Sequence, residues 1–144
     1  MATLEFLSEL TAAPLRKVSF QPQRCLRRRL SSCGCSSCSD SCPASAIHIL
    51  DNRVHFDPYI CTGCMRCSVS CPNDAFEISG FDLEKRLHAL PTKGNIVISC
   101  ARQAQINHDE FLIPCVGAIS LEHLLALGMK RSSNIIFNIW ACGS

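Results

Sequence analysis

The sequence predicts an α+β chain in two parts: a small cysteine-rich module of short β-hairpins, then a small C-terminal α/β unit with parallel strands. Three observations carry this reading. Nine of the twelve cysteines in the 144 residues fall between positions 25 and 71. Short strand-like segments around them are bounded by Pro, Gly and Asp-Asn turns. Beyond residue 93, apolar segments alternate with a helical stretch, a spacing that implies parallel pairing.

The elements follow in order. Residues 2–13 place Leu4, Leu7 and Leu10 at helical spacing, with Pro14 as the stop, so residues 1–16 form an amphipathic helix suited to docking. Residues 17–80 form the cysteine module, with strands near 17–21, 46–50, 53–56 and 75–79 and a one-turn helix at each Cys-Pro. Asp51-Asn52 is a tight turn and predicts a hairpin. Residues 81–92 form a linker, helical over 81–90 and ended by Pro91. Residues 93–144 hold strands at 95–100, 110–115 and 134–142, and a helix at 121–127 stopped by Gly128. Each of these strands ends in a cysteine. Parallel strands deliver their carboxyl ends to one edge, so Cys100, Cys115 and Cys142 are expected to converge.

Within the module, residues 61–72 read C-x2-C-x2-C-x3-C-P, from Cys61 through Cys64, Cys67 and Cys71 to Pro72. This spacing resembles the ligand run that holds cubane iron–sulfur clusters in bacterial ferredoxins. An altered copy lies upstream. Val18 to Cys25 and Val54 to Cys61 both read V-x-F-x-P-x-x-C, and Cys42 to Ile49 and Cys71 to Ile78 both read C-P-x-x-A-x-x-I. The copies start 36 residues apart and end 29 apart, so the first carries a seven-residue insertion between Cys25 and Cys35. The insertion brings Arg27, Arg28, Arg29 and an extra cysteine, Cys33. Repeat alignment favours Cys25 as the first ligand. The plain motif would instead start at Cys33, with a C-x-C opening.

The two runs resemble the two-cluster bacterial ferredoxins. That resemblance implies crossed ligation, with three cysteines of one run and the fourth of the other on each 4Fe–4S cluster. Carried onto this sequence, one cluster takes Cys25 (or Cys33), Cys35, Cys38 and Cys71, and the other takes Cys61, Cys64, Cys67 and Cys42. Pro43 and Pro72 would fix the backbone after the donated cysteine. Gly34 and Gly63 would let backbone N–H groups approach the sulfides. C-x2-C pairs also bind zinc, but the duplicated frame favours cubanes over zinc or a disulfide scaffold.

The C-terminal stretch resembles the iron–sulfur (delta) subunit of methyl-viologen-reducing hydrogenase. The matching pieces are Ile-Val-Ile-Ser-Cys100, Ile-Pro-Cys115-Val-Gly117 with Leu124 to Gly128, and the apolar strand into Ala-Cys142-Gly143. The resemblance implies a 2Fe–2S cluster and a relay between a hydrogenase, formate dehydrogenase or flavoprotein subunit and another redox partner. The sequence departs from that pattern at Gln103, where a second cysteine is expected. A cluster here would need a fourth ligand from Cys33 or from residues beyond the last one.

Composition narrows the function classes. Cysteine at this density implies secreted disulfides or intracellular clusters. Residues 1–15 show neither a basic stretch nor an unbroken apolar run, which predicts no secretory signal and a cytoplasmic protein. No stretch has the ~20 apolar residues of a membrane span. The net charge is +2, and the excess is local: residues 16–29 hold Arg16, Lys17, Arg24, Arg27, Arg28 and Arg29 and no acid. This predicts a docking patch for an acidic partner or a solvated loop. Nucleic acid is the less favoured partner, since no aromatic residues interleave the charges. The five His show no paired ligand spacing. His123 could face the cysteine edge. No Ser/His/Asp set or phosphate loop is present, and Cys100 or Cys115 as a nucleophile lacks a base. The expected function is single-electron relay within an oxidoreductase complex. The alternative is an oxygen- or redox-sensing module in which Cys33 reports loss of the irregular cluster.

Overall fold

The computed structural model describes residues 18–101, 110–130 and 134–139. The helix expected over 2–13, Gln103 and Cys142 lie outside the described residues.

The chain is α+β. It runs β1 (Val18–Phe20), a 3₁₀ turn (Pro22–Arg24), α1 (Leu26–Arg29), α2 (Ser37–Asp40), β2 (Ile47–Leu50) and β3 (Arg53–Phe56). Next come α3 (Arg66–Ser70), β4 (Phe76–Ile78), α4 (Leu83–His88), β5 (Ile96–Cys100) and β6 (Glu110–Ile113). A 3₁₀ turn (Val116–Ala118), α5 (Leu121–Lys130) and β7 (Ile135–Asn138) complete it.

The repeat folds back on itself. β1, leading into the first run, pairs antiparallel with β4, leaving the second. β2, leaving the first run, pairs antiparallel with β3, leading into the second. Asp51 and Asn52 have φ of 49° and 58°. These left-handed values at both central positions make a type I′ turn, whose twist suits a two-residue hairpin. The one-turn helices α2 and α3 precede Cys42-Pro43 and Cys71-Pro72. Ser41 and Ser70, equivalent residues of the two copies, meet hydroxyl to hydroxyl at 2.8 Å. An approximate dyad therefore passes between the copies. Phe20 and Phe56, the matched aromatics, both pack on Phe76, with ring centroids 4.9 and 5.8 Å away. Phe76 is buried with Val18, Ile47 and Ala75 at the centre of the module.

The C-terminal unit is a three-stranded sheet ordered β6–β5–β7, with both pairings parallel. β5 is the central strand, and its Ile96, Ile98 and Cys100 are buried, as a strand enclosed by neighbours requires. Ile98 and Ile113 are fully buried with Leu83 and Leu87 of α4 and Leu127 of α5. Met65, from the loop of the second cysteine run, is buried in this same core. The sheet unit is thus built directly onto that run.

Three boundaries differ from expectation. β6 stops at Ile113 because Pro114 has no N–H for the ladder. The linker helix is shorter, Leu83–His88, because Asp82 caps it by accepting from Lys85 N at 2.9 Å. α5 continues through Gly128 to Lys130. A helical Gly costs about 1 kcal/mol relative to Ala, which burial of Leu127 offsets at about 2 kcal/mol.

Removing Ile98 should loosen the sheet unit, since a cavity opens where no side chain can collapse in. Ile98→Ala is expected to destabilise the fold by about 2–5 kcal/mol, read as a lower denaturation midpoint by far-UV circular dichroism under anaerobic conditions.

Candidate metal centres

Two cavities flank the Phe20–Phe76–Phe56 cluster, with Phe76 buried at its centre, and each is lined by four cysteines. Cys25, Cys35, Cys38 and Cys71 line the first, with Leu26, Val54 and Phe76. Cys42, Cys61, Cys64 and Cys67 line the second, with Ile47, Phe56 and Met65. In each set three thiols come from one copy and one from the other. The strand pairing explains why. Folding the copies antiparallel turns the last cysteine of each run away from its own loop and toward the other.

Cys33 lines neither cavity. After Cys25 the insertion coils into α1. Arg27 of α1 then reaches back, donating to the Cys35 carbonyl and to Asn52 Oδ1. This returns Cys35 to the cavity beside Cys25. Cys33 is left half-exposed in the connecting turn, its N–H bonded to Leu30 O at 3.0 Å.

Backbone N–H groups point at three of the sulfurs. Ala46 N donates to Cys42 Sγ at 3.3 Å, Ala75 N to Cys71 Sγ at 3.4 Å and Gly63 N to Cys61 Sγ at 3.5 Å. The first two are equivalent in the repeat. Ser45 and Asp74, just before these alanines, have φ of 51° and 50°. That left-handed turn aims the next N–H back at the cysteine four residues earlier. Ala46 and Ala75 are fully buried, so a small side chain is required there. The sequence signal for this is the alanine of the shared C-P-x-x-A. Gly63 is buried with φ 65°, a conformation suited to glycine. Gly34 is exposed, with nothing within 4 Å of an added Cβ. Pro72 lines the first cavity, while Pro43 is exposed outside the second.

The electrostatics divide the thiols in the same way. Burial pushes the Cys38 thiol up to about 11, with like-charge contributions from Cys25, Cys71 and Cys35. Burial pushes Cys67 up to about 12, with contributions from Cys64, Cys61 and Cys42. Cys61 is raised too, mainly by burial, then by Cys64 and Cys42. Without a cationic centre these thiols hold their protons at neutral pH, and ligation releases them. The thiols surround cavities rather than a point. Among the described residues no three Cys, His, Asp or Glu close on a single-ion position. An all-cysteine donor set is soft and suits iron–sulfur clusters or zinc.

In the C-terminal unit, Cys100 lies opposite Ile113 at the carboxyl edge of the parallel pair, and Cys115 follows two residues on. Both are buried, and Cys100 Sγ donates to Pro114 O at 3.3 Å. Arg66, adjacent to Cys67, reaches this edge: a Cβ on Gly117 would stand 3.3 Å from Arg66 Cδ and 3.4 Å from Cys115 Sγ. His123 serves locally, its Nδ1 accepting from Ser120 N at 3.1 Å at the start of α5.

The family model of the 4Fe-4S binding domain matches residues 53–76, which span β3, Cys61 to Cys71, α3 and the start of β4. No curated protein and no solved structure matches the chain. The chain therefore contains a ferredoxin-type 4Fe–4S binding domain, and its general chemistry is iron–sulfur electron transfer. Among the described residues no helix is long and apolar enough to cross a membrane.

The placement of α1 separates the two candidate first ligands. Cys25→Ser should remove about half of the bound iron, or leave a three-iron form visible by EPR of the oxidised protein. Cys33→Ser should keep full iron content, and loss of iron from that variant alone would reassign the ligand.

Proposed function

We propose that the chain is an electron relay carrying two 4Fe–4S clusters, one held by Cys25, Cys35, Cys38 and Cys71 and the other by Cys42, Cys61, Cys64 and Cys67. The observation that carries this is the pair of four-cysteine cavities, each drawing three thiols from one copy and one from its dyad mate. A bound cubane takes and gives one electron at a time.

The residues around it do the rest. The N–H groups of Ala46, Gly63 and Ala75 donate to ligand sulfurs and so favour the more negative, reduced state. Val54, Leu26 and Phe76 at the first cavity, and Ile47, Phe56 and Met65 at the second, limit water at the sulfurs. The aromatic stack keeps the two sites adjacent within one rigid core.

The C-terminal unit belongs to the proposal as the partner-facing end next to the second site. Met65 lies in its core and Arg66 touches its cysteine edge. Its resemblance to the hydrogenase delta subunit supports a hydrogenase, formate dehydrogenase or flavoprotein partner. Among the described residues Cys100 and Cys115 stand at that edge, and a 2Fe–2S cluster takes four ligands. A cytoplasmic location is part of the same reading, because free thiols at this density need a reducing compartment. The sensing alternative draws on Cys33, which lies in the insertion but outside the cavity. Cluster loss on brief air exposure, coupled to a change at Cys33, would favour it over relay.

Anaerobically reconstituted protein is expected to hold about eight iron and about eight acid-labile sulfide per chain. Reduction should give the EPR of two cubanes and reverse on reoxidation. About four iron would leave one cavity without a cluster and end the two-cluster reading.

A further inference from the structure

We propose that the outer surface of the insertion and of the β2–β3 hairpin is the docking face for an acidic protein redox partner, with electrons passing through the first site. The proposal rests on the two-cluster reading above.

The structure sorts the basic run. Arg24 is paired with Glu77 and also donates to Asp74 O at 3.2 Å. Arg27 is committed to the Cys35 carbonyl and Asn52. Arg28 and Arg29 are exposed and make no side-chain hydrogen bond or ion pair among the described residues, and the same holds for Arg53 on the hairpin. Asn52 joins the two segments, donating from Nδ2 to Ser31 O at 2.9 Å while accepting from Arg27. That staple sets Arg53 beside α1. Leu30 and Leu50 flank it, 55% and 59% exposed. The result is two unburied leucines among three unpaired arginines, with Asp51 at the hairpin tip as the carboxylate in these two segments.

This face backs directly onto the first site. Leu26 of α1 and Val54 of β3 line the cysteine cavity, and the same two elements carry Arg28, Arg29 and Arg53 outward. The second site differs: Met65 is buried against the C-terminal unit, and the exposed Tyr59 and Ile60 before Cys61 have no arginine beside them in sequence. Arginine with exposed leucine is the composition of a protein interface. A nucleic-acid surface would add aromatic side chains for stacking, and the aromatic residue of these two segments, Phe56, is turned into the core. Positive charge around the apolar centre steers an acidic protein to it.

The test uses the full reconstituted chain, with flavodoxin, a small acidic flavoprotein, as the probe in anaerobic stopped-flow. The wild-type electron-transfer rate should fall about tenfold as ionic strength rises from about 0.01 M to about 0.15 M, where the screening length shrinks to about 8 Å. Arg28→Glu/Arg29→Glu should lower the low-salt rate by about tenfold and flatten the salt dependence. Its iron content and dithionite bleaching should match the wild type. Leu30→Ser/Leu50→Ser should slow the rate with the salt slope kept. A charge-reversed variant with unchanged rate and slope would overturn the proposal. So would one that keeps its flavodoxin rate but loses retention on a single-stranded oligonucleotide, which would assign the face to nucleic acid. Wild-type protein short of two clusters by iron count removes the premise and overturns it as well, and that failure is visible before any partner is added.

Discussion

The antiparallel return of the second cysteine copy onto the first is the constraint on which the rest of the molecule depends. β1 finds β4 and β2 finds β3, and Ser41 meets Ser70 at the axis between them. Strands of three and four residues are too short to hold this arrangement alone. Phe76, gripped by Phe20 and Phe56, supplies the apolar centre. With the copies related in this way, Cys42 and Cys71 have only the opposite cavity to enter. The left-handed residues Ser45 and Asp74 then set the following N–H groups on those two sulfurs.

The thiols of the two cavities favour their neutral, protonated form. Burial holds the Cys38 and Cys67 thiols near 11 and 12, because a thiolate in an apolar wall lacks solvation. A cationic metal centre reverses that balance, so folding, proton release and metal binding are coupled. The sheet unit adds the apolar burial that so small a module lacks. Met65 is the link: its backbone sits between Cys64 and Cys67, while its side chain belongs to a core made by residues 83–127. The second site is therefore buttressed by the sheet, while the first is closed by the insertion and faces outward. The proposed basic docking face at the first site follows from that asymmetry.

Much of the module was legible because its geometry needs particular residues. The Asp51-Asn52 hairpin, the V-x-F-x-P approach and the C-P-x-x-A exit are local devices, and each appears twice or carries its own turn chemistry. The parallel sheet was legible from the spacing of its apolar runs. Other features depend on contacts distant in sequence. Spacing alone does not say how a nine-residue loop returns to its start; that path depends on Arg27, which bonds the Cys35 carbonyl and Asn52. The burial of Met65 in the sheet unit has no periodic signature, since in the sequence it is a spacer between ligands. α5 runs past Gly128, where a helix stop is expected, because glycine there is an exposed helical position and the buried Leu127 beside it anchors the turn.

The central claim, that each proposed cluster takes its fourth thiolate from the other copy, is tested most directly by pairing ligand deletions across and within copies. In the crossed arrangement Cys42 and Cys61 serve the same site, so Cys42→Ala/Cys61→Ala should spare the other cluster and retain about four iron with one cubane EPR signal. Cys61→Ala/Cys71→Ala removes one ligand from each site and should damage both. The reverse pattern, with one intact cubane in Cys61→Ala/Cys71→Ala and none in Cys42→Ala/Cys61→Ala, would show that each run ligates its own cluster and would contradict the account.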